Sequence, residues 1–235
     1  MTLEFQNQIS IQPTESGGGG GGGSTTITVP NLTFPDETAS YYPTFINGKL
    51  KCTDYRGCGW LPENPTGTIT SFHAHIEFTT PSSFASGYMA LLGQADSTNY
   101  KTPQVDIVNY TIAFIVSEDG SSWAGWLEAP ITPNKNYIID CYLKDGTISA
   151  TLTEVNGETV ELTVKSGYSS SVNSINWTAD MTVGTDNDVD LFYGEIDMTK
   201  TYIECNDNYS WSGTTKQTIS QSQMALGFMA SGGVQ

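Results

Sequence analysis

The sequence predicts an all-β antiparallel sandwich of the jelly-roll type, carried on a flexible glycine-rich N-terminal arm. Three observations lead there. Turn signals recur about every ten residues between short runs that alternate apolar and polar side chains. No segment repeats its apolar residues at helical spacing. Residues 16–24 read SGGGGGGGS, seven consecutive glycines that follow the peptide MTLEFQNQISIQPTE. Glycine loses the most conformational freedom on ordering, so a bare run of it is a spacer. A spacer of this length has a root-mean-square span of about 15 Å and a maximum of about 25 Å. The chain divides into an anchoring peptide (1–15), a linker (16–26), a β domain (27–213) and a C-terminal tail (214–235). The tail's weak pattern fits a second arm or a short closing element.

The elements follow in order. TTITVPNLTF has a strand's composition, and TFINGKLKC carries Asn47-Gly48, a two-residue hairpin signal. In SFHAHIEFT, strand alternation puts Phe72, Ala74, Ile76 and Phe78 on one face and His73, His75 and Glu77 on the other. GYMALLGQA is an almost continuous apolar run, which suits a strand buried on both faces. YTIAFIVSEDGSSWAGWLEA places Asp119-Gly120 between two strands. NYIIDCYLKDGTISATLTEVNGETVELTV holds three strands joined by Asp145-Gly146 and Asn156-Gly157, both expected to form type I′ turns. DVDLFYGEIDMTKTYIEC reads as a further strand pair.

Composition narrows the function classes. The formal charge is −16, and an acidic surface repels phosphate, so neither nucleic acid nor an anionic membrane is expected as a partner. No run of about 18 apolar residues is present to span a bilayer. The first residues contain neither lysine nor arginine and no apolar signal core, so synthesis in a cytoplasm is expected. Of the four cysteines, Cys52 and Cys58 lie close together, whereas Cys141 and Cys205 stand alone, which is not the spacing of a structural zinc site. Free, buried thiols are expected, with a Cys52–Cys58 disulfide as the alternative in oxidising surroundings.

Four stretches carry a family resemblance: SFHAHIEFTTP as an early strand, NYIIDCYLKDGTISATL as a central pair, MTVGTDNDVDLFYGEIDMTKTYIEC as a late signature of aromatic-Gly-x-Ile-Asp, and NYSWSG as a closing hairpin. Over about residues 27–213 the chain resembles a concanavalin A-like jelly roll of the laminin-G type, as found in bacteriophage structural proteins. The resemblance implies a non-enzymatic virion protein: a capsid decoration, head-fibre or tail-associated subunit, made in the host bacterial cytoplasm. Residues 1–15 would then dock on other virion proteins, and several copies, as a homo-oligomer on the virion, would bind host or mucosal glycans with avidity. A polysaccharide-degrading enzyme and a secreted lectin are the alternatives.

Each chemical candidate has a plainer explanation beside it. GEIDMTK resembles the Glu-x-Asp of laminarinase-type glycoside hydrolases, which use a second Glu shortly afterwards. Positions 199 and 200 are Thr and Lys, so the acid that would protonate the leaving group is missing, and no catalytic residue is assigned. His73, His75 and Glu77 on one strand face could ligate a transition metal, although alternation alone explains them as a solvent face. Asp186, Asp188 and Asp190 could hold Ca2+ on a loop, against the commoner solvated acidic loop. Tyr55, Trp60, Trp123, Trp126, Tyr193 and Trp211 are the candidates for stacking on sugar rings, though a sandwich of this size also needs aromatic core.

Overall fold

The computed structural model describes residues 24–33, 43–52, 59–65, 67–94, 103–177, 180–185, 190–206 and 208–220, and every regular element among them is a β-strand. Strands gather in two sheets and a ribbon, all paired antiparallel. The nine-stranded sheet runs β12 (Thr159–Glu161), β11 (Thr147–Glu154), β10 (Asn136–Lys144), β5 (Phe72–Thr79), β15 (Glu195–Asp197), β3 (Lys49–Lys51) and β2 (Thr44–Ile46). On it, β16 (Tyr202–Cys205) also pairs with β5, and β17 (Tyr209–Ser212) pairs with β16. The seven-stranded sheet runs β13 (Thr163–Val164), β9 (Gly125–Pro130), β8 (Thr111–Val116), β7 (Gln104–Val108), β6 (Tyr88–Gln94), β14 (Met181–Val183) and β4 (Gly59–Trp60). This is the predicted β-sandwich.

The core lies between the sheets. Phe72 of β5 stacks on Phe114 of β8, centroids 5.9 Å apart and planes 10° from parallel. The alternation expected for β5 is the alternation observed: Phe72, Ala74, Ile76 and Phe78 are buried, while the residues between them are half-buried on the outer face. β10 repeats it, with Tyr137, Ile139, Cys141 and Leu143 inward. β6 is buried on both faces through Met89, Ala90, Leu91 and Leu92, as its sequence predicts.

Turn chemistry separates the hairpins that sequence identifies from those it does not. Asn47-Gly48 and Asp145-Gly146 both have two positive φ values, as a type I′ turn requires. Asn156 has a positive φ but Gly157 does not, so the expected type I′ turn there is a longer loop between β11 and β12. Asp119-Gly120 lies between two strands, β8 and β9, as expected. It sits within residues 117–124, where the Asp119 carboxylate accepts the N–H groups of Ser121 and Ser122 at 2.8 and 3.0 Å. Those hydrogen bonds, the Ser121 hydroxyl's first among them, hold the exposed acid well below the usual carboxylate range. β15 and β16 are not a pair with each other; they follow one another along the same edge of β5.

Gly194 explains its place in the late signature. A Cβ there would meet the Thr79 carbonyl oxygen and the Phe192 ring, because β15 enters the sheet directly against the end of β5. Gly194→Ala is therefore expected to cost about 3 kcal/mol, read as a lower urea midpoint at unchanged slope. An unchanged midpoint would mean that the backbone of β5 yields there.

Both ends assigned to arm and tail begin inside the fold. β1 (Ser24–Pro30) and β18 (Thr214–Ser220) form a two-stranded ribbon with Ser24 paired to Ser220 and Pro30 to Thr214. The linker expected to run to 26 thus gives way to strand at Ser24, and the tail expected from 214 starts as strand. Their Thr- and Ile-rich composition favours extended pairing over a free linker. Residues 1–15 and the glycine run lie outside the described residues. Cys52, Cys141 and Cys205 are free and buried, and Cys58 lies outside the described residues.

Candidate functional site

The outer face of the nine-stranded sheet carries a polar cluster that no single stretch of sequence displays. Register places Asp140 of β10 directly across from His75 of β5, and Tyr142 across from His73. On the other side of β5, Tyr202 lies across from His75 and Glu204 from His73. The same Asp140 oxygen, Oδ1, lies 2.8 Å from His75 Nδ1 and 3.0 Å from His73 Nε2. An ionised carboxylate can only accept, so both ring nitrogens donate. The remaining nitrogens face acids at longer range: His75 Nε2 is 3.7 Å from Glu77 Oε1, and His73 Nδ1 is 3.9 Å from Glu204 Oε2. Tyr142 stacks on His73 at 4.3 Å and Tyr202 on His75 at 5.1 Å.

Burial alone would raise Asp140, but the hydrogen bonds and charges of the two imidazoles hold it well below the usual carboxylate range. His75 is raised, first by its hydrogen bond to Asp140, against burial and with the charges of Asp140 and Glu77. Through Asp140 and the two stacked tyrosines the cluster clamps β10, β5 and β16 together. For the metal expectation at His73 and His75, each ring gives one nitrogen to Asp140 and turns the other toward Glu204 or Glu77. Among the described residues no group of three or more His, Cys, Asp and Glu side chains is arranged to hold a metal ion. Asp186 and Asp188 lie outside the described residues. Asp190 is half-buried, with its acid raised by burial.

The seven-stranded sheet turns an aromatic layer outward. Cross-strand register puts Trp126 of β9 beside Ile115 of β8, which in turn pairs with Gln104 of β7; Glu128, Ala113 and Asp106 form the next row. Ala113, Ile115 and Trp126 are buried as a small cluster of their own, under the partly buried rings of Tyr88, Trp123 and Tyr168. Trp123 stands edge-on to Trp126 at 4.8 Å, Tyr168 lies at 5.3 Å, and the Lys165 ammonium sits 3.5 Å from the Trp126 ring centroid. The Trp126 indole N–H is buried without a hydrogen-bond partner. Tyr88 has its phenol raised by burial and by the nearby charges of Asp106 and Asp190. The face thus carries partly buried aromatic rings over an apolar cluster, with the buried polar residues Gln104 and Asp106 on the neighbouring strand.

The six aromatic candidates therefore separate. Trp123 and Trp126 meet on this face, with Trp126 covered by its neighbours. Trp60 lies on the edge strand β4 of the same sheet, half-buried. Trp211 is core, 3% exposed, its indole N–H donating to the Asn31 carbonyl at 2.9 Å. Tyr193 is 50% exposed, next to Gly194. Tyr55 lies outside the described residues. Local spacing does not reveal Tyr88, Asp140 or Tyr168: cross-strand register places the first two, and the loop after β13 carries Tyr168 onto Trp126.

Glu195 and Asp197 alternate along β15 as expected, and each has a structural partner. Lys49 lies 3.3 Å from Glu195, while Asp197 Oδ1 accepts the Thr199 hydroxyl and N–H at 2.6 and 3.1 Å. Lys200 bonds Glu77 at 2.6 Å and lies 3.7 Å from Asp197.

No protein-family model matches the chain, and no curated protein does. Solved structures do. Full-length tailspike protein 2 from Escherichia coli O157:H7 bacteriophage CAB120 superposes with a TM-score of 0.52 at 15% identity, over 76% of this chain and 26% of that one. The enzymatically active domain of bacteriophage CBA120 tailspike protein 2 gives 0.52 at 13%, over 76% of this chain and 29% of that one. The fourth and fifth LG domains of the mouse laminin alpha1 chain give 0.41 at 14%, over 80% and 44%. The chain spans about a quarter of the tailspike's length, and at these identities the likeness is one of fold.

Proposed function

We propose that this chain is a bacteriophage virion surface protein, held to other virion proteins by residues 1–15 and displaying a lectin-like jelly roll that binds glycan without cleaving it. The observation that carries the binding role is the outer face of the seven-stranded sheet, where the partly buried rings of Tyr88, Trp123 and Tyr168 pack over the buried cluster of Ala113, Ile115 and Trp126. Fold likeness to a phage tailspike supports the setting. So does the order peptide, glycine run, β domain, which lets one end be docked while the other reaches outward. Several copies would add avidity to weak single sites.

The non-enzymatic part draws on β15. Its Glu-x-Asp pair is engaged by Lys49, Thr199 and Lys200 and fits the role of shaping the 197–201 turn. A hydrolase reading would draw on Glu77, the third acid linked through Lys200, and release of reducing sugar abolished by Glu195→Gln would favour it.

The test is binding of the full chain, and of a variant lacking residues 1–15, to purified phage particles. The full chain is expected to co-sediment with particles and the shortened chain to remain in solution. Equal sedimentation of the two, or none by either, would remove the attachment role.

A further inference from the structure

One end of the sandwich differs from the rest of its surface. It is built from residues 80–87 between β5 and β6, the two-residue turn Asn109-Tyr110 between β7 and β8, and residues 131–135 between β9 and β10. Hydrogen bonds sew the three together. Thr80 N–H donates to the Lys135 carbonyl at 2.9 Å, and its hydroxyl donates to the Thr132 carbonyl at 2.9 Å. Asn134 N–H donates to the Pro81 carbonyl at 3.1 Å, and Ile131 N–H to the Tyr110 carbonyl at 2.9 Å.

Tyr110 is 56% exposed. It has a φ of +66°, a left-handed conformation that a bulky side chain rarely adopts and that ordinarily selects glycine. Phe84 stands beside it, rings 5.0 Å apart at 73°. The surrounding groups are neutral hydroxyls and amides: Ser82, Ser83, Ser86, Asn109 and Asn134. The single charge in these three segments is Lys135, paired to Glu154 at 2.6 Å. On a chain of net charge −16 this is a pre-ordered rim whose single charged side chain is ion-paired, with the exposed Tyr110 ring against the half-buried Phe84, itself packed on the core.

We propose that this rim is a second binding site, for an uncharged oligosaccharide, separate from the aromatic layer on the seven-stranded sheet. Tyr110 and Phe84 supply the stacking surface for a sugar's C–H face, and the serines and asparagines supply neutral donors and acceptors. Tyrosine with serine and asparagine is a palette of low ordering cost, and the sewn loops reduce that cost further. The ligand class rests on the glycan-binding reading above; the location does not.

The full chain, Tyr110→Asn and Trp123→Ala are compared on a printed array of neutral and acidic oligosaccharides. Asparagine accepts a positive φ, so Tyr110→Asn keeps the turn, and its melting temperature is expected to be unchanged or higher. A set of neutral oligosaccharides bound by the full chain and by Trp123→Ala is expected to lose at least tenfold in signal with Tyr110→Asn. If Tyr110→Asn holds every ligand of the full chain equally, or if the ligands it loses are acidic, the rim site is overturned and the glycan-binding reading stands. If the full chain binds no oligosaccharide, both fall.

Discussion

Phe114→Ala is expected to destabilise the protein by about 4 kcal/mol, the upper part of the range for emptying a packed aromatic site. Phe114 is fully buried in β8 at the middle of the seven-stranded sheet, and Phe72 of the opposite sheet lies flat against it. Removing the ring loses its transfer free energy and the dispersion contacts that the facing ring makes across the midplane. Collapse into the space is hindered, because Phe72 is also packed against Trp177, ring centroids 6.2 Å apart. Against a typical domain stability of about 5–15 kcal/mol, the loss leaves a marginal fold. Urea unfolding followed by tryptophan fluorescence measures it, with the slope expected to be unchanged. A loss below about 1 kcal/mol would mean that the sheets close over the gap.

The pH dependence should be the next largest effect, and its sign follows from the clamp on β5. Asp140 is held below its ordinary 3.8, so what it contributes is present above that pH and is lost as pH falls below it. His75 is raised above 6.5, so what it contributes is complete below 6.5 and is lost as pH rises through its higher folded value. Both contributions are therefore present together between 3.8 and 6.5. The melting temperature should peak in that window and decline toward pH 8. The groups that face the histidines are Asp140 and Tyr142 from β10, Glu77 from β5, and Tyr202 and Glu204 from β16. Lys200 acts on them through Glu77. Replacing His75 by glutamine should flatten the alkaline decline. Asp140→Asn should flatten both limbs, because the aspartate is the partner in each. Parallel profiles for the wild type and Asp140→Asn between pH 5 and 8 would show that the clamp is not the titrating element.

The parts that could be read from the sequence are those fixed by local geometry. The alternation of SFHAHIEFT gave the inner and outer faces of β5 correctly, because a strand has one period and one buried side. Asn47-Gly48 and Asp145-Gly146 were readable because a type I′ turn restricts the residues it accepts. Asp119-Gly120 was readable as lying between two strands, while the shape of its loop was not: aspartate folds its own carboxylate onto following N–H groups, and that local bonding orders residues 117–124. Asn109-Tyr110 gave no signal, since tyrosine is a poor residue for a positive φ and only the surrounding pairing enforces it. The sites were less readable than the fold. Asp140 and His75 are 65 positions apart, and Tyr88 and Trp126 come from strands separated in the sheet by two others. Trp211 and Trp123 are equally aromatic as letters, yet one is core and the other partly exposed, because Trp211 points inward from β17 while Trp123 lies in the loop before β9 and packs on the outer cluster.

The ribbon of β1 and β18 has a mechanical consequence. Ser24 and Ser220 are paired at its outer end, so the segments on either side of the domain depart from one point. Force that draws those segments apart is concentrated on the outermost pair and opens the ribbon one rung at a time. Force that draws both the same way is shared along its whole length and passes into the sandwich at Asn31 and Gly213, where the two strands are tied by a 2.8 Å hydrogen bond. The same short element is weak as a zipper and strong as a tether, and which it is depends on whether one segment or both carry the load.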